Sequence, residues 1–131
     1  MAIGLAACLA GMVERAQAQS VPMTAGDVRI VARALGFVQP APSGDAWVAV
    51  VFAPGSAASR ADADRIAALF GDGLRSSQAL LQARPVAADA LAATDGYVAL
   101  IVAASAPVDA AMQAARARHV VCVTSEIAEW C

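Results

Sequence analysis

The sequence predicts an α/β fold: a mostly parallel four-stranded sheet with helices on both faces, in β-α-β-α-β-α-β order after an N-terminal helix. Three observations predict it. The runs "AWVAVVFA" (46–53) and "YVALIVAA" (97–104) are almost wholly apolar and bounded by turn residues, as strands buried on both faces must be. Between the strand-like runs lie segments whose apolar residues recur with helical spacing. The two types alternate along a single 131-residue domain, and alternation of this kind requires parallel strands joined by crossover helices.

The chain begins with "MAIGLAACLAGMV", an apolar run followed by "AQA" at Ala16–Ala18, the small-x-small pattern of a signal-peptidase site. The expectation is a signal peptide over 1–18 and one α/β domain over 19–131. The run is too short to span a bilayer. A rival reading takes "LAAC", Leu5 to Cys8, as a lipobox that anchors the protein through Cys8. Both place the domain outside the cytoplasm, in the periplasm.

Thr24 and Asp27 are spaced as a capping box, with Asp in place of Glu, and open a first helix. Val28, Val31, Ala32 and Leu35 share one face of it, and Gly36 stops it. "PAPSGD" (40–45) is a turn or linker, and 46–53 is the first strand. A second helix covers about 59–70, with Ala63, Ile66, Ala67 and Phe70 inward, and "GDG" (71–73) ends it. "QALLQARPV" (78–86) is a weaker strand and "AADALAAT" (87–94) a short helix. After the strand at 97–104 comes a helix with Ser105 as N-cap, Pro107 in its first turn and Val108, Met112 and Ala115 inward. "HVVCVT" (119–124) is the fourth strand and "SEIAEWC" starts another helix. A chain that stops one turn into a helix after a core strand leads us to expect a domain incomplete at its C-terminus.

The formal net charge is −2, lysine is absent, and the nine arginines are scattered, each near an acid in sequence. Nucleic-acid binding needs concentrated cations, so this balance excludes it. No Cys/His spacing suits a metal, and no cofactor motif is present. "APGSAASR" (53–60) lacks both the P-loop and the Gly-x-Gly-x-x-Gly patterns. The single histidine, His119, opens the fourth strand at the end of the sheet away from the serines, so a Ser-His-Asp relay cannot assemble. Carboxylate pairs such as Asp62/Asp64 read as first-turn helix acids with Arg65 and Arg60 as helix-face partners. The reading is of a protein that is not an enzyme.

Ligands of open parallel sheets bind beyond the carboxyl ends of the strands. There the chain places Gly55, Ser56 and Ser59 after the first strand, Ser105 after the third, and Thr124 and Ser125 after the fourth. Two readings stand: a shallow polar cleft for a small anionic ligand at helix N-termini, or serines that only cap their own helices. Cys122 lies in a strand, where it is a small buried hydrophobe or the partner of Cys131; Cys131 could equally pair with a residue further along.

The phrases "ALGFVQP", "WVAVVFAPGS", "YVALIVAAS" and "HVVCVTSEIAEWC", in that order after a leader, resemble the YfiR/HmsC-like family of small periplasmic proteins. The resemblance spans about Val28 to Cys131 and rests on order and spacing. Gln39-Pro40 stands where that family commonly has Trp-Pro, and its final strands are not reached. The resemblance implies a non-enzymatic regulatory domain, often a homodimer, that restrains a membrane-bound diguanylate cyclase by contact with an inner-membrane signalling protein. It also marks Cys122 and Cys131 as disulfide candidates. The alternative, from a different class, is a periplasmic solute-binding domain using the serine end of the sheet.

Overall fold

The computed structural model describes residues 21–124. The expected leader over 1–18 with Cys8, and the expected roles of Ser125 and Cys131, lie outside the described residues.

Helix α1 (Ala25–Leu35) opens on the predicted capping box. Thr24 Oγ1 accepts from the Asp27 amide at 3.2 Å, and Asp27 Oδ2 accepts from the Thr24 amide at 2.8 Å. Two of the amides left over at a helix start are thereby satisfied. Val28, Val31, Ala32 and Leu35 are all buried, as their spacing requires. The helix ends at Gly36, which keeps a right-handed backbone (φ −67°). Glycine is needed here for closeness: a Cβ at this position would stand 3.2 Å from both the Arg33 carbonyl oxygen and Ser77 Cβ.

The sheet has five strands, one more than the sequence predicts, in the order β2-β3-β1-β4-β5. At the centre, β1 (Ser43–Phe52) pairs in parallel with β3 (Gln78–Ala87) on one side and β4 (Tyr97–Val102) on the other. Strand β5 (Val121–Thr124) extends the parallel set beside β4. The unforeseen strand is β2 (Leu74–Ser76), which runs antiparallel to β3 and makes the sheet mixed. Ser76 pairs with Ala79, so Ser77 and Gln78 alone make the reversal, with Ser77 in the left-handed region (φ +50°). Strand β1 also starts earlier than expected, absorbing Ser43–Asp45 from the supposed linker.

Between the strands lie α2 (Ala57–Ala68), a 3-10 helix (Ala88–Ala93) and α3 (Val108–Arg118). Side chains alternate along the strands and sort the core into two layers. Val48, Val50, Phe52, Leu81, Ala99 and Ile101 pack with Leu35 of α1, Ala63 and Ile66 of α2, and Phe70 just after it. Ala49, Val51, Leu100 and Val102 pack with Leu91, Ala111 and Ala115 of the 3-10 helix and α3. Val48–Phe52 are consecutively buried, which is why β1 reads as unbroken apolar sequence. Strand β3 is held by β1 along its whole length but by β2 only at Ala79–Leu81; beyond that, Gln82 and Arg84 are exposed and Pro85 half-buried. Among the described residues, no helix is long and apolar enough to cross a membrane.

Candidate functional site

A doubly wound sheet offers its crevice where successive connections leave toward opposite faces. Here that point lies between β1 and β4. The chain leaves β1 for α2 on one face and leaves β4 for α3 on the other. The loops Ala53–Ser56 and Ala103–Pro107 flank it and carry Gly55, Ser56 and Ser105 of the predicted ligand residues.

The chain's own side chains close this crevice. Ser56 is the N-cap of α2, and its Oγ accepts from the Ser59 amide at 3.2 Å. Ser59, expected as the cap, instead sits inside the first turn and is fully buried. Its Oγ accepts from the Ala53 amide at 2.9 Å, tying the end of β1 to the helix that follows. Asp62, one turn further along α2, reaches across to the other loop: Oδ2 accepts from the Ala104 amide at 2.8 Å. Its Oδ1 accepts from Arg65 at 2.8 and 3.1 Å, and Arg65 donates in turn to the Met23 carbonyl at 2.6 Å.

Gly55 is exposed and left-handed (φ +81°), as the turn requires, with open space where a Cβ would stand. Ser105 is not a cap. Its backbone is left-handed (φ +64°), whereas an N-cap residue is extended, and two more residues pass before α3 begins. The cap position falls on Pro107, with no side-chain bond. Thr124 ends β5 in register with Val102, one strand further out. Gly55 and Ser56 therefore share one loop with Ser59 in the helical turn that follows, Ser105 lies on the facing loop, and Asp62 joins the two sides. The Ala53, Ser59 and Ala104 amides that could have met an anion already have acceptors, and one acceptor is a carboxylate. Chemically this is a closed joint between the two layers.

His119 caps the C-terminus of α3 in the left-handed region (φ +55°), at the start of β5 and so at the end of the sheet away from the serines. Nearby, Arg84 lies over the Trp47 ring (4.9 Å), Trp47 meets Tyr97 edge-on (5.8 Å, 79°), and Arg118 lies over Tyr97 (5.4 Å). Trp47 is half-buried within this stack. Arg118 also pairs with Asp95, and that hydrogen bond raises its pKa above the ordinary arginine value. Among the described residues, no group of three or more His, Cys, Asp or Glu side chains could hold a metal. Cys122 is half-buried in β5; its expected partner Cys131 is outside the described residues.

An open cleft with a mainly apolar lining exists at the other end of the sheet. It has a volume of about 310 Å³ and is lined by Arg33, Gly36 and Phe37 at the end of α1 and by Arg75, Ser76 and Ser77 at the β2–β3 turn. The sequence reading missed it, because residues 74–77 carry no predicted element and each arginine lies near an acid in sequence. Arg60 and Arg65 do pair within α2, with Asp64 and Asp62, but Arg33 and Arg75 have no acidic partner among the described residues.

Compared with protein-family models, curated proteins and solved structures, the chain matches none.

Proposed function

We propose that this chain is a non-enzymatic interaction domain that works outside the cytoplasm by protein contact, in the regulatory manner its YfiR/HmsC-like sequence pattern implies. The observation that carries the reading is the exposure of large apolar side chains on and just after α1. Ile30 is 66% and Phe37 85% exposed, while the opposite face of the helix is fully packed. Large apolar groups left in water beside arginines suit a partner surface. The self-satisfied crevice supports the same reading, since its polar groups serve the fold. On this proposal the partner is an inner-membrane signalling protein such as a diguanylate cyclase.

Co-purification from membranes tests it. The wild-type protein is expected to retain an inner-membrane signalling protein, and an Ile30→Ser/Phe37→Ser variant to lose it with an unchanged melting temperature. Deletion of the gene with no change in cyclic-di-GMP level would overturn the regulatory reading.

A further inference from the structure

We propose that the cleft between the end of α1 and the β2–β3 turn is a binding site for a small ligand that joins an oxyanion, phosphate or carboxylate, to an apolar group. This goes beyond the protein-contact reading and does not depend on it.

Four observations meet at this place. Arg33 and Arg75, one from each element, line the same cleft of about 310 Å³, and neither has an acidic partner among the described residues. Elsewhere Arg60, Arg65 and Arg118 each hold an aspartate, and Arg84 lies over the Trp47 ring. Two arginines lining one cavity favour an anion there, and the fork of donors on each matches the oxygens of carboxylate or phosphate.

Ser76 adds an independent sign. It is 1% exposed, lines the cleft, and its Oγ has no hydrogen-bond partner in the protein. A buried hydroxyl without a partner is a cost that alanine would not carry, and unsatisfied groups of this kind concentrate where a ligand completes them. The neighbouring Ser77 holds a left-handed backbone (φ +50°), a strained conformation for a non-glycine residue. Phe37, 85% exposed, supplies an apolar wall. The volume lies at the lower end of the range for small-molecule sites, which suits a ligand of one ring and one charged group. Gly36 is what lets the two halves approach, since a side chain there would press on Ser77 Cβ.

Titration of the full chain with phenyl phosphate, benzoate, inorganic phosphate and phenol, followed by calorimetry and amide chemical shifts, tests the site. Saturable binding of phenyl phosphate or benzoate is expected, tighter than inorganic phosphate, with no binding of phenol. The tighter of the two aromatic anions identifies the oxyanion class. Shifts should centre on residues 33–37 and 74–77. Arg33→Gln/Arg75→Gln should weaken binding at least tenfold while leaving the melting temperature unchanged, both residues being at the surface. Ser76→Ala should weaken binding several-fold and leave the protein at least as stable. No saturable binding by either aromatic anion, shifts centred elsewhere, or an Arg33/Arg75 variant that binds as wild type would overturn the proposal.

Discussion

Replacing Asp62 by alanine tests the closed joint most directly. One carboxylate on α2 accepts from the Ala104 amide on the β4–α3 loop and from Arg65, whose guanidinium also holds the Met23 carbonyl. Asp62 is only 18% exposed at its side chain, so the bond to Ala104 is poorly screened. A hydrogen bond to a charged group contributes about 1.5–3 kcal/mol, and its loss leaves the Ala104 amide without that acceptor. The ion pair with Arg65 spans three residues on a partly exposed helix face and adds only about 0.3 kcal/mol. Asp62→Ala should therefore cost about 2–3 kcal/mol. For a domain near this size that lowers the melting temperature by roughly 10 °C or more. Urea denaturation followed by circular dichroism should show a lower midpoint at an unchanged slope. Hydrogen exchange at the Ala104 amide should accelerate in the same variant. Asp62→Asn, which keeps an oxygen for Ala104 but loses the charge, should fall between wild type and alanine. A loss below about 0.5 kcal/mol, typical of an ordinary surface substitution, would refute the idea that Asp62 locks the two layers together.

Further outcomes follow from the same geometry. Ser59→Ala removes the acceptor of the Ala53 amide in a fully buried position and should cost about 1–3 kcal/mol by chemical denaturation. Gly73→Ala should be among the most damaging single changes, at about 3 kcal/mol or more. Its Cβ would stand 2.8 Å from Leu80 Cγ and Cδ1, on a backbone at φ +133° that favours glycine, and the variant should melt earlier or fail to accumulate as folded protein. His119→Gly should stabilise by about 1 kcal/mol in thermal melts, because the left-handed cap of α3 disfavours any residue with a Cβ.

How much of this was legible depended on the range of the interactions. The capping box of α1 and its buried stripe are local, three and four residues apart, and both stand where the sequence places them. The buried half of β1, Val48–Phe52, is legible because contact on both faces leaves it no polar positions. Strand β2 left no trace: three residues are too few for a period, and the chain contains no asparagine to mark the turn that follows. Serine takes the left-handed position at 77, at a conformational cost the sequence does not advertise. The α2 cap was misplaced because Ser56 and Ser59 are three apart and interact as cap and third helical residue; the pattern alone does not say which is which. Asp62 shows the limit most plainly. Its link to Arg65 is readable along the helix, but its second oxygen binds an amide 42 residues away. The same holds for the cleft, which Arg33 lines together with Arg75 and Ser76 only after β2 has folded back along β3.

The outer flank of β3 carries one more consequence. Past Leu81 no described strand covers it, and a bare strand flank invites a neighbouring molecule to add its own and begin a fibril. Pro85 stands in that stretch with no amide hydrogen to offer a newcomer, and Arg84 brings a charge that would repel its own copy. Exchanging Pro85 for valine would turn the flank into a template, and the protein would be expected to pass from soluble to thioflavin-positive on prolonged storage.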